Sequence, residues 1–384
     1  MGERVLAFWD CVIPENKNTA RYQRAKLLTS EYDVEFVLLH GDENEGAPDE
    51  LEERALNVEV RSSTGIVTGL SFIISQFYQK LIKDRDKYSF IHTSYHPISI
   101  TIGFLFKIMG VTWVYDMWDD PNIRFVLGHD SKLLTFFHLI LLRSYVTMIE
   151  RSDVLVLALN SDILDFLHIN HDNVVHITNG TSEETYRDIY SFENPSKYGL
   201  DTEKFNIVFI GDMAFRRGTD ILFKAIPYLD DKIENGEIFL VGYHTPSVRR
   251  YVEHMDTDID INLVGEVSHE EALGFTRDSD VCTCIFGDFR ETRYIYPIKL
   301  FEYMALGKVS VASSLPGIKE IIEHKENGLL VEPGNRQEIA DKIEFVYENQ
   351  DNLDSMEKNA QESVKKFYWR NINSELKEEL NSKI

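Results

Sequence analysis

A chain of 384 residues is longer than one ordinary domain, and its 43% hydrophobic and 12% aromatic content can fill two cores. Its 64 acidic against 40 basic side chains give a formal charge of −24, which excludes the basic footprint of a sequence-independent nucleic-acid binder. An acidic protein that takes a phosphorylated ligand must gather its cations locally, so Arg216, Arg217 and Lys299 are the ones to follow.

The first half alternates strand and helix. Residues 4–10 read as a strand with no signal-peptide core before it, Thr19–Thr29 as a helix and Val34–His40 as the next strand. A short strand near Val58–Arg61 and a helix over Thr68–Ile82 follow. The strand Phe90–Ser94 contains His92 and runs into Tyr95, His96 and Pro97. Ile98–Met109 reads as a helix, and Thr112–Asp116 as a strand opening into Asp116-Met-Trp-Asp-Asp-Pro121. A long apolar helix, Lys132–Arg151, leads to a strand over Val154–Leu159, a helix over Asp162–Leu167 and a strand over Val174–Thr178 before Asn179-Gly180. The longest apolar stretches, Ile66–Ile82 and Leu133–Ile149, are broken by polar residues and by Arg143 before they reach bilayer length. The expectation is a cytoplasmic protein. The helix through Lys132–Ile149 is either core or a face that touches a membrane surface.

After a polar linker the alternation restarts. Strands are expected at Phe205–Ile210, Glu237–Val241, Ile261–Leu263, Val281–Phe286, Val309–Ala312 and Gly328–Val331. Helices are expected at Thr219–Ala225, Ser247–His254, Pro297–Leu306, Pro316–His324 and Asn335–Asn349, with a tail helix over Trp369–Leu380. Ser268-His-Glu-Glu271 is a capping-box pattern opening a further helix to Thr276. This order implies an α/β protein of two doubly wound parallel sheets, in which ligands sit at the carboxyl ends of strands. Glycine follows the strand ends at Gly211, Gly242 and Gly265, where backbone comes close to something. Cys282 and Cys284 alternate in an apolar run and are expected to be buried thiols; with Cys11 the count is odd.

The stretch Tyr294–Gly307 concentrates the chemistry. Pro297 suits the first position of a helix and Gly307 its C′ position. Lys299 and Glu302 are neighbours three residues apart. A helix N-terminus with a cation in its first turn and a carboxylate one turn deeper suits a nucleoside diphosphate, with Glu302 accepting from ribose hydroxyls. A solvated Lys/Glu pair on an amphipathic helix is the simpler alternative.

These residues resemble the retaining glycosyltransferases of family 4, the group 1 glycosyltransferases of the GT-B fold. The resemblance is carried by Ile207-Val-Phe-Ile-Gly211 with Arg217-Gly218, Leu240-Val-Gly242, Leu263-Val-Gly-Glu-Val267, Pro297-Ile-Lys-Leu-Phe-Glu-Tyr-Met-Ala-Leu-Gly307, Pro316-Gly-Ile-Lys-Glu320 and Asn327-Gly-Leu-Leu-Val331. It implies two Rossmann-like domains facing a central cleft. Residues 1–190 would hold the acceptor and 205–365 the nucleotide-sugar donor, with 366–384 a helix returning to the first domain. It further implies transfer of a sugar, with retention, to a glycan, lipid-linked or polysaccharide acceptor.

By position, Glu302 would bind the donor ribose and Arg217 the diphosphate, with Lys299 adding a second cation. Gly265 and Val267 would meet the base, and Gly211 and Arg216 would border the phosphates. No cofactor or metal is then required, because the cations and the helix terminus meet the leaving group's charge. Tyr294 stands where the family often has a first glutamate, and Asp212 where it commonly has an arginine. In the N-terminal half, Asp116, Asp119 and His92 are the candidates for catalytic hydrogen bonding to sugar or acceptor hydroxyls. A divalent cation shared by the two carboxylates, or a purely structural role, is the alternative. A non-catalytic GT-B subunit and a nucleotide-sugar isomerase or hydrolase are the competing functions.

Overall fold

The computed structural model describes residues 3–9, 19–40, 55–59, 78–94, 97–120, 142–183 and 199–384. Its two compact units are Met1–Thr178 with Arg370–Ile384, and Asn179–Trp369.

The first unit carries strands β1 (Arg4–Trp9), β2 (Asp33–His40), β3 (Ala55–Glu59), β4 (Phe90–Ser94), β5 (Thr112–Met117), β6 (Val154–Leu157) and β7 (Val174–His176). They form a parallel sheet in the order β3-β2-β1-β4-β5-β6-β7. A sheet buried on both faces needs continuous apolar strands, and β6, Val-Leu-Val-Leu, is buried throughout. The helix Ala20–Glu31 starts at Thr19, whose hydroxyl accepts from the Tyr22 N–H at 3.3 Å. The helix Pro97–Ile108 packs onto β5 through Gly103. A Cβ there would lie 2.1 Å from the Trp113 indole nitrogen, which instead donates to Thr93 Oγ1 at 2.7 Å. Residues 142–149 are helical. The rest of the expected Lys132–Arg151 helix before them, and residues 68–77 of the expected Thr68–Ile82 helix, lie outside the described residues, as do His96 and Cys11; Tyr78–Lys83 is a π-helical turn.

The second unit carries β8 (Phe205–Ile210), β9 (Gly236–Val241), β10 (Asp260–Gly265), β11 (Val281–Cys284), β12 (Ser310–Ser313) and β13 (Leu329–Val331). Their order, β10-β9-β8-β11-β12-β13, is that of a doubly wound sheet whose strand order reverses between β8 and β11. One face is filled by a core that includes Phe209, Phe223, Ile226, Leu240 and Val311. The other is filled by Cys282, Cys284, Leu300, Phe301, Tyr303 and Met304. The two cysteines thus share one face, and burial pushes their thiols up to about 12 and about 11. Two α-helical segments were not expected from the sequence, Arg290–Arg293 and Asp354–Ser363, and the Pro316 helix ends early, at Lys319. The tail helix runs Trp369–Lys383, and Lys377 pairs with Glu31 in the first unit at 2.7 Å.

Candidate functional site

The site grows from the strand ends at the reversal of the second sheet. Gly211 follows β8 with φ +128°, and Gly242 follows β9 with φ +129°. Such φ values are open to glycine and strained for other residues. Space makes the same demand: a Cβ on Gly242 would stand 2.3 Å from the Gly211 carbonyl oxygen. The Gly211 N–H donates to Val241 O at 2.8 Å, and the Gly242 N–H donates to Gly265 O at 2.7 Å. Three strand ends are therefore tied side by side. Gly265 has φ +86° and sits at a register shift in β10, while Val267 packs against the cluster around Phe239 and Phe275.

Against these ends stands the helix Ile298–Ala305. Pro297 is its N-cap, with ψ 120°, rather than its first helical residue; the extended ψ lets the chain enter from the segment that holds the buried Tyr294 and Tyr296. Gly307 follows the C-cap Leu306 with φ +68°, as expected of a C′ glycine. Asn179 Nδ2 donates to the Tyr296 carbonyl at 2.8 Å and holds the approach to the helix.

Lys299 points back to the strand ends. Its Nζ lies 4.0 Å from the Phe209 ring centroid and 5.2 Å from that of Phe286, and a Cβ on Gly211 would be 3.1 Å from it. Phe209 belongs to β8 and Phe286 follows β11, so the ammonium sits at the crevice where the strand order reverses. Burial pushes the Lys299 pKa down to about 8, and Arg217 adds to this, against the opposing pull of Cys284, Glu302 and Asp212. Glu302, 8% exposed, lies one turn on, and its Oε1 accepts from His269 Nε2 at 2.7 Å. Burial alone would lower the His269 pKa, but the hydrogen bond and charge of Glu302, helped by Glu270, raise it.

Arg217 ends a short 3-10 turn, and its Nε is 3.9 Å from Asp212 Oδ2. Its carbonyl accepts from the Gly287 N–H at 2.9 Å, which joins the loops after β8 and β11. Tyr294, 6% exposed, caps the Arg290–Arg293 turn and lies 6.0 Å from the Arg293 guanidinium, which Asp288 holds. The Arg216 side chain lies outside the described residues. Among the residues anticipated from sequence, the fold thus gathers Gly211, Lys299, Arg217 and Glu302 at one end of the sheet. His269 was missed.

In the first unit, Asp116 and His92 are fully buried. Arg24 Nε donates to Asp116 Oδ2 at 2.5 Å, and His92 Nε2 is 3.3 Å from the same oxygen. Trp9 Nε1 donates to His92 Nδ1 at 2.9 Å, which makes Nδ1 the acceptor and places the ring proton on Nε2. Burial holds the His92 pKa below its ordinary value despite Asp116. Burial would raise that of Asp116, but Arg24 and then His92 outweigh it and keep it low. The ground state is an Asp116 carboxylate paired with Arg24 beside a neutral imidazole, and neither candidate faces solvent. Asp119 is partly exposed. Among the described residues, no group of three or more histidine, cysteine or carboxylate side chains is placed to hold a metal.

Residues 204–349 match the sequence profile described as glycosyl transferases group 1. An uncharacterized glycosyltransferase of Methanocaldococcus jannaschii is 24% identical over 242 residues, an alignment that spans only 60% of this chain and 60% of that relative. A second uncharacterized glycosyltransferase of the same organism is 24% identical over 344 residues, covering 88% of this chain and 87% of its own length. Among solved structures, HepE of Anabaena in complex with UDP-glucose superposes with a TM-score of 0.72 at 18% identity, covering 98% of this chain and 99% of its own. The chain has the GT-B fold, and its likeness to the group 1 glycosyl transferases lies in residues 204–349.

Proposed function

We propose that the protein moves a sugar from a nucleotide-sugar donor to a glycan, lipid-linked or polysaccharide acceptor, with retention of anomeric configuration. The domain family is one of glycosyltransferases, enzymes of the EC 2.4 class. The observation that carries the donor reading is the meeting of Lys299 Nζ with Gly211 at the strand reversal, with Glu302 one helical turn away. In this reading the diphosphate lies against Lys299 and Arg217, which stabilise the charge that develops as the leaving nucleotide departs. Glu302 accepts hydrogen bonds from the ribose hydroxyls, the backbone of Gly265 and Val267 meets the base, and Tyr294 borders the sugar. The two cations supply the electrophilic assistance, so the reading invokes no metal.

Residues 1–190 take the acceptor in this account, and Asp119, which is partly exposed, is a carboxylate there that would accept from a hydroxyl. Asp116 and His92 hold that strand end in shape. The reaction belongs on the cytoplasmic side, at the inner membrane face where the acceptor is lipid-linked. The relative solved with UDP-glucose supports a nucleotide-sugar donor.

The test is transfer from a panel of UDP-, GDP- and ADP-sugars to candidate acceptors, with the product's anomeric coupling read by proton NMR. Retention, and loss of transfer in Glu302→Ala and Arg217→Ala with the fold intact, is expected. Near-normal turnover by both variants would overturn the donor site. Donor consumption at the same rate without acceptor would make the protein a hydrolase.

A further inference from the structure

The contact between His269 and Glu302 joins two parts of the site that the sequence keeps 33 residues apart. Glu302 has three side-chain torsions and two equivalent oxygens, and it must present them in one geometry to grip a vicinal diol. Its neighbours Leu300, Phe301, Tyr303 and Met304 are buried apolar or aromatic groups of the same helix. His269 supplies an N–H donor to one oxygen, and its own position is unusually well fixed. It is the first residue of the helix His269–Arg277, which is closed by a complete capping box. Ser268 Oγ accepts from the Glu271 N–H at 3.1 Å, and Glu271 Oε2 accepts from the Ser268 N–H at 2.8 Å. Further along, Phe275 is fully buried and its ring meets Phe239 of β9 at 5.6 Å between centroids. The imidazole is thus anchored to the same sheet whose strand ends shape the site.

We propose that His269 is a positioning residue for donor binding: it fixes the Glu302 carboxylate for the ribose diol and ties it to the Gly265–Val267 loop. This deepens the donor reading above and rests on Glu302 contacting ribose. The base loop ends two residues before His269, so a base seated on that loop and a ribose seated on Glu302 are registered by one short, capped segment. Discrimination for ribose over deoxyribose is the property this linkage confers. A histidine that merely braced the two helices would affect all nucleotides alike.

The experiment is calorimetric titration of the full chain with UDP, GDP and ADP, followed by the 2′-deoxy form of whichever binds most tightly. Wild type is expected to prefer the ribonucleotide by about tenfold or more, the size of one charge-assisted hydrogen bond. His269→Ala should weaken ribonucleotide binding about tenfold and leave the 2′-deoxy form within about twofold, so that the preference collapses. His269→Gln retains an N–H donor, and its ribonucleotide affinity should stay within about threefold of wild type. Equal weakening of both nucleotides by His269→Ala, or an undiminished ribose preference, overturns the inference. Glu302→Ala separates the two levels. If it removes the ribose preference while His269→Ala does not, only the role of His269 fails; if it leaves the preference intact, the ribose assignment fails and the inference with it.

Discussion

Lys299→Met should make the protein more stable and unable to hold a nucleotide. Moving a lysine from its ordinary 10.5 to about 8 corresponds to about 3 kcal/mol of unfavourable burial of the charged form. The two ring faces at 4.0 and 5.2 Å return part of this, about 0.5–1 kcal/mol each at partly solvated sites. Methionine has a similar length, carries no charge and suits the aromatic surroundings. A net gain of about 1–2 kcal/mol is expected near pH 7. The pH dependence has a definite sign. Because the folded-state pKa is depressed, the unfolded chain binds the extra proton between about 8 and 10.5. Wild-type stability therefore rises with pH through that window, and the advantage of methionine is full below 8 and fades towards 10.5. Urea denaturation of both proteins at pH 7 and pH 9.5 reads the difference, and calorimetry with UDP, GDP and ADP reads binding. A variant that is less stable than wild type at pH 7, or that binds a nucleoside diphosphate as tightly as wild type does, refutes the reasoning.

Asp212→Asn removes an anion 3.9 Å from Arg217 and should tighten nucleoside diphosphate binding severalfold at low salt, by titration calorimetry, with the gain shrinking as ionic strength rises. Gly242→Ala would press a Cβ onto the Gly211 carbonyl at a left-handed φ; denaturation should show a loss of about 2 kcal/mol or more, with nucleotide binding impaired. Arg24→Met leaves the buried Asp116 carboxylate uncompensated and should lower stability by about 3–5 kcal/mol, whereas a loss below about 1 kcal/mol would mean that Asp116 is not ionised there.

The strands were the most legible part of the sequence. β8 runs over the segment expected for it, because parallel strands buried on both faces read as apolar runs that stop at polar or glycine residues, and β4 also matches its expected Phe90–Ser94 although only Phe90 and Ile91 in it are apolar. Gly211 and Gly242 after β8 and β9, and Gly265 at the end of β10, were legible for the same reason, and the positive φ of all three gives that reading its geometry. Helix ends were less legible. Pro297 fits both the N-cap and the first helical position, and only ψ separates them. Arg290–Arg293 is a single turn without an apolar period, so nothing in it announced a helix. Pairings across the fold were out of reach. Ser268–Glu271 was readable as a capping box, yet its first helical residue showed no sign of meeting Glu302, because that contact depends on how two crossovers pack on one sheet. Likewise Arg24, on a helix with a weak apolar pattern, gave no hint of the ion pair that takes up Asp116, 92 residues away. Asp116, read from the sequence as a candidate for catalytic hydrogen bonding, is buried in that pair.

The most direct test of the donor site is a crystal structure of the chain with a bound nucleotide-sugar or its nucleoside diphosphate. The account predicts the diphosphate within hydrogen-bonding distance of Lys299 Nζ and Arg217, the ribose hydroxyls on Glu302 and the base beside Gly265–Val267. A nucleotide bound elsewhere, or a diphosphate out of reach of Lys299, contradicts it.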